Sequence, residues 1–129
     1  MTFLTIEEVL AAHARVKGIR PEDAVDHVHR RDLLESALAR PRNVAEYEDA
    51  DLSAQAATLM WGLVRNHPFM DGNKRTALIA TYAFLDVNGY HLDLTEDERF
   101  ELVVSIANRK ASVEQVADVL RSRIVPKTR

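Results

Sequence analysis

The chain has 129 residues, of which 47% are hydrophobic and 29% charged, the balance of an ordinary globular protein. That length suits one folding unit, and we read residues 1–129 as a single domain able to bury a core without metal or disulfide support. There is no cysteine, which excludes disulfide scaffolds, zinc–thiolate sites and thiol catalysis. Lys plus Arg number 17 against 20 Asp plus Glu, a formal net charge of −3 that gives no support to a broad nucleic-acid face. No segment has the basic–apolar–cleavage pattern of a secretory leader, and no uncharged apolar run is long enough to span a bilayer. The expected location is therefore the cytoplasm.

The apolar periodicity is helical along most of the chain. Thr5 and Glu8 have capping-box spacing ahead of a first helix that Gly18 ends. Residues 22–31 read as a loop or a short helix. Asp32 and Glu35 repeat the capping spacing before a stripe of Leu33, Leu34, Ala37 and Leu38, and Pro41 is expected to stop that helix, leaving 42–50 as an irregular surface segment. Asp49 or Asp51 caps a longer helix to about Asn66, with Leu52, Ala56, Leu59, Met60 and Leu63 on one face. Pro68 then holds His67 out of the right-handed helical region, at the mouth of a turn.

A helix opening near Gly72–Asn73 and ending at Asn88–Gly89 is apolar nearly all round and is predicted to be central. Residues 90–94 alternate like a very short strand. Thr95 with Glu98, and Ser112 with Gln115, cap two further helices. Residues 125–129 are expected to fray. The predicted class is all-α, with six or seven helices around a central buried one and one very short β-hairpin.

One stretch carries most of the chemistry: His67-Pro68-Phe69-Met70-Asp71-Gly72-Asn73-Lys74-Arg75-Thr76. It places a base, an acid, a permissive glycine, an amide and two cations at the joint of two helices. A helix start presents free N–H groups and a positive dipole end, a ready anion site. Cations in a first turn oppose the dipole, so Lys74 and Arg75 make sense there if an anion is bound. Asp71 can hold a divalent cation or cap the helix, Asn73 can also be a plain cap, and Phe69 is an apolar anchor for the turn. His67 is the group suited to taking a proton near neutral pH.

Elsewhere the signals are weaker. His27 and His29 fall on different sides of a helix but converge in a strand or loop. Arg30, Arg31, Arg40 and Arg42 read first as a solvated face. There is no P-loop and no zinc-protease or calcium-loop pattern.

The stretch HPFMDGNKRTAL resembles the signature of the Fic/Doc superfamily, in its Doc (death-on-curing) branch; every fixed position of that signature is met, by His67, Phe69, Asp71, Gly72, Asn73, Lys74 and Arg75. Residues 31–41 and 84–94 are similar to the segments that flank the core helices in Doc-like proteins. The resemblance implies an all-helical fold around one buried helix. It departs from the Fic adenylyltransferase pattern at Lys74, where that pattern has glycine, and at Leu78, where it has a second arginine.

The Doc branch implies a toxin of a toxin–antitoxin module, a kinase moving the γ-phosphate of ATP to a Thr or Ser hydroxyl of elongation factor Tu. His67 is then the general base and Asp71 the Mg²⁺ ligand. Gly72, Asn73, Lys74 and Arg75 hold the phosphates. The alternatives are AMP transfer and a non-catalytic binding protein. No glutamate has Ser or Thr four residues before it, so the inhibitory Ser/Thr-x-x-x-Glu helix of many Fic proteins is absent. A separate Phd-like antitoxin is the implied partner, with the region 31–50 as its expected contact. No direct nucleic-acid or membrane partner is expected.

Overall fold

The computed structural model describes residues 1–128. Helix α1 spans Ile6–Lys17 and begins with the expected reciprocal cap, the Glu8 N–H donating to Thr5 Oγ1 at 3.2 Å and the Thr5 N–H to Glu8 Oε1 at 2.9 Å. It ends at Gly18, whose φ of 68° lets its N–H reach the Ala14 carbonyl. A 3₁₀ turn over Pro21–His27 follows.

Helix α2, Arg31–Tyr47, differs from the sequence expectation at both ends. Asp32 is not a cap, because the Arg30 guanidinium takes both its oxygens, at 3.1 and 2.9 Å, and Arg30 itself stands at the N-cap without a side-chain bond. Pro41 does not stop the helix. Its ring is buried on the core face, so packing offsets the missing backbone bond, and 42–47 continue as helix instead of an irregular segment.

Helix α3, Leu52–Asn66, is capped by the Asp51 carboxylate, which accepts from the Ala54 N–H at 2.9 Å. It is the most enclosed element, packed by α2 and by α4 (Asn73–Val87), α5 (Glu96–Ala107) and α6 (Val113–Arg123). The centre is thus α3, and not the 73–88 helix singled out by its composition. Small residues explain the difference. A Cβ on Gly62 would lie 3.3 Å from that of Ala37, so α2 and α3 approach closely. Thr58, in the same helix, returns its hydroxyl to the Ala54 carbonyl and so buries without cost to hydrogen bonding. Helix α4 buries Thr76, Ala77, Ala80, Thr81, Phe84 and Leu85 on one face only.

The two strands are distant in the chain. β1, Tyr90–Leu92, pairs antiparallel with β2, Ile124–Pro126. The Lys127 N–H reaches the Gly89 carbonyl at 2.9 Å, and Lys127 Nζ reaches Asp86 at 2.8 Å. The frayed tail predicted for 125–129 is therefore paired through residue 127, while Arg129 lies outside the described residues. Capping boxes at Thr95/Glu98 and Ser112/Gln115 open α5 and α6 as expected. Glu98 also takes the Arg123 fork at 2.6 and 2.7 Å, joining the two helices, and its pKa falls to about 2. No helix among the described residues is long and apolar enough to cross a membrane.

Candidate active site

The loop between α3 and α4 is built from both sides. His67 closes α3 in a left-handed conformation, φ 51° and ψ 54°, a costly state for a residue other than glycine. Its side chain is exposed. Such strain persists only where the surroundings impose it, and here the next residues are pinned. The Pro68 carbonyl accepts from the N–H groups of His29 and Arg30, at 2.9 and 3.2 Å, and the Met70 N–H donates to the His27 carbonyl at 3.0 Å. Val28 and Phe69 thereby form an isolated antiparallel bridge. The 27–30 segment acts as a strand for the loop, and the His27 side chain turns to His13.

In that bridge the bonds are made by the neighbours of Phe69, so its own N–H and C=O face away. Asn73 takes both. Its Oδ1 accepts from the Phe69 N–H and its Nδ2 donates to the Phe69 carbonyl, each at 3.0 Å, and the residue is 4% exposed. The amide therefore closes the turn. Neither Asn73 nor Asp71 is the helix cap. That position is Gly72, with φ 75° and no side-chain bond, so the first N–H groups of α4 stay open. Lys74 and Arg75 are exposed in that first turn, and neither forms an ion pair among the described residues.

Two residues of the site, His13 and Lys17, were missed by sequence reasoning. His13 of α1 is fully buried and stacks on Phe69 with ring centroids 4.0 Å apart and 5° between planes. Its Nδ1 lies 3.0 Å from Thr76 Oγ1 and its Nε2 lies 3.1 Å from His27 Nδ1, which ties α1, α4 and the 3₁₀ turn together. Burial above all, then the nearby His27 and Lys17, pushes its pKa down to about 4. Lys17, one turn further along α1, places Nζ 2.7 Å from Asp71 Oδ1. That hydrogen bond is the main reason the Asp71 carboxyl sits below its ordinary range. The available signal was a histidine interrupting an apolar stripe with a lysine four residues on, sharing one helix face.

The open face of α4 borders a cleft of about 680 Å³ whose walls include Arg75 and Leu78 of α4, Arg15 of α1, and Tyr82 with Arg99 packed over its ring. The expected solvated arginine face sits elsewhere: Arg30 and Arg42 pair with Asp32 and Glu46, and Arg40 and Arg65 pack over the ring of Trp61, which donates to the Ala111 carbonyl at 3.2 Å.

Among the described residues no group of three or more His, Asp or Glu is placed to hold a metal ion. The donor set is instead one exposed carboxylate, Asp71, beside an open helix start. That set suits Mg²⁺ carried by a nucleotide, since this ion keeps water ligands and takes one or two carboxylates plus phosphate oxygens.

An exposed histidine with a left-handed backbone and an uncapped, cation-bearing helix start thus flank one loop. That loop lies within the region that is similar to known proteins. The model of the Fic/DOC family matches residues 3–85, which include every element that builds the loop. Toxin Doc of Mycolicibacterium smegmatis is 39% identical over 89 residues, covering 66% of this chain and 68% of that protein. Protein kinase doc of Escherichia phage P1 is 38% identical over 88 residues, covering 67% of this chain and 69% of that one. The chain belongs to the Fic/DOC family, in its Doc toxin branch.

Proposed function

We propose that this protein is a toxin that phosphorylates a protein hydroxyl, using ATP, with elongation factor Tu as the expected acceptor. The observation that carries the reading is the pairing of His67 with the open start of α4: an exposed imidazole on one side of the loop, and free N–H groups with Lys74 and Arg75 on the other. The kinase naming of the phage P1 relative supports it.

In this reading the acceptor hydroxyl lies against His67. The imidazole takes its proton as the oxygen bonds to the γ-phosphorus, the bond from that phosphorus to the bridging oxygen breaks, and ADP leaves. The imidazole need not form an alkoxide beforehand, because a loose transition state asks only that the proton be accepted as the bond forms. Lys74, Arg75 and the first N–H groups of α4 hold the phosphate oxygens as charge shifts to ADP. Asp71 would hold Mg²⁺, which when bound neutralises charge on the phosphates. Asn73 enters as the residue that shapes the loop, since both ends of its amide are taken by Phe69. Gly72 lets the backbone turn under the phosphates, and a Cβ there would meet Val16, His13 and Lys17 at 3.4–3.5 Å. A Phd-like antitoxin is the proposed partner, one whose C-terminal segment folds on the toxin.

The test uses ATP labelled at the γ- or the α-phosphate, Mg²⁺, and a bacterial lysate or purified elongation factor Tu. The reading expects γ-label alone on the acceptor, lowered about a hundredfold or more by His67→Ala or Asp71→Ala. Transfer of α-label would move the function to AMP transfer despite Lys74 and Leu78. Transfer within tenfold of wild type in His67→Ala would refute the assigned base.

A further inference from the structure

Lys17 is a cation delivered to the motif loop by a different helix. It stands in the last turn of α1, where a positive charge is favoured, and its stem runs beside Gly72, with Cδ 3.5 Å from where a Cβ on that glycine would lie. Its ammonium is 2.7 Å from Asp71 Oδ1. The Lys17 side chain is 31% exposed and that of Asp71 is 67%, so the carboxylate is held from the protein side and open toward solvent.

We propose that Lys17 is a positioning residue of the transfer site, the resident counter-charge of Asp71, which gives up the carboxylate when a divalent cation arrives on a nucleotide. This rests on the reading of Asp71 as the magnesium ligand. An ammonium and a divalent cation on one carboxylate oxygen repel each other at a few ångströms, so the two cannot share it cheaply. The lysine stem is flexible, so the ammonium can swing out to solvent when the cation takes its place. Until that exchange, Lys17 cancels the charge with which Asp71 would repel phosphate. The competing view is an incidental surface pair, which would leave metal dependence untouched.

The test is calorimetric binding of a non-hydrolysable ATP analogue to the full chain, with EDTA and with saturating Mg²⁺. The readout is the ratio of the two dissociation constants. Lys17→Met keeps the stem and removes the charge. It should weaken binding in EDTA more than binding with Mg²⁺, so that the ratio rises about threefold. Lys17→Arg keeps the charge and should bring the ratio back toward wild type. Asp71→Asn should bring the ratio close to one whatever stands at 17. An unchanged ratio in Lys17→Met, with Asp71→Asn behaving as stated, overturns this inference and leaves the proposed function standing. A wild-type protein with no Mg²⁺ dependence, or an Asp71→Asn that keeps it, removes the reading of Asp71 and this inference with it.

Discussion

Replacing Asn73 by alanine separates the two roles that this position can have. Its amide serves the Phe69 N–H and C=O at 3.0 Å each, and the bridge to Val28 offers those groups nothing else. Asn73→Ala therefore leaves a donor and an acceptor without partners beside a side chain that is 1% exposed. Each stranded group costs about 1–3 kcal/mol, so the pair sums to about 2–6 kcal/mol. The neighbouring His67, Met70 and Asp71 are exposed, and water entering there would satisfy part of the loss. The expected cost is then about 2–3 kcal/mol. Urea unfolding should show it as a lower midpoint with an unchanged slope. Hydrogen exchange adds a local reading, because the Phe69 amide should lose its protection more than the interior of α3 does. Asn73→Asp should be equally harmful, since a carboxylate accepts from the Phe69 N–H but faces its carbonyl with a second acceptor. A variant within about 0.5 kcal/mol of wild type, with the Phe69 amide still protected and nucleotide binding lost, would refute the argument and make Asn73 a phosphate ligand.

Three further outcomes follow from the same geometry. His67→Gly should abolish transfer yet raise unfolding stability by about 1 kcal/mol, because glycine relieves the left-handed backbone at φ 51°; a loss of stability in urea would contradict the strain argument. Phe69→Ala should cost about 3–5 kcal/mol, the range for deleting a buried aromatic, and a cost below about 1 kcal/mol would mean that the stack on His13 anchors nothing. The third concerns pH. His13 has a folded pKa of about 4 against an ordinary 6.5, so the unfolded chain takes up its proton first. Its contribution is complete above about pH 6.5 and is lost as the pH falls toward 4. Urea midpoints across that window should fall less steeply in His13→Phe than in wild type, and equal slopes would reject the assignment.

Local relations were legible in the sequence. The pairs Thr5/Glu8, Thr95/Glu98 and Ser112/Gln115 each form the cap that their spacing predicts, because a capping box needs only its own first turn. Asp32/Glu35 has the same spacing and fails because a competitor two residues away, Arg30, claims the carboxylate. Pro41 misled for a tertiary reason: whether proline ends a helix depends on whether its ring finds a buried place, which local sequence does not report. The strand at 90–92 was visible as alternation, but its partner at 124–126 was not, since pairing across that distance is fixed by how α5 and α6 bring the chain end back. The central helix was assigned by apolarity, whereas enclosure follows from small size. Gly62, Ala56 and Ala57 let neighbours close in on α3 from several sides, while the apolar Leu78 and Ile79 of α4 line a cleft.

The site divides in the same way. Its chemical letters lie in one run, so His67, Asp71, Lys74 and Arg75 could be named without coordinates. Their orientation could not, because it is imposed by residues far off in the chain. The bridge to 27–30 turns the Phe69 peptide groups toward Asn73 and so removes that amide from the open surface. Helix α1 supplies His13 beneath the loop and Lys17 beside it. Of the motif residues His67, Asp71, Gly72, Asn73, Lys74 and Arg75, the neighbouring cleft is lined by Arg75, which Arg15 and Arg99 join there from two other helices. Leu78 is therefore weaker evidence against AMP transfer than the motif alone implies. The motif counts only cations carried on α4, whereas the cleft also receives them from α1 and α5.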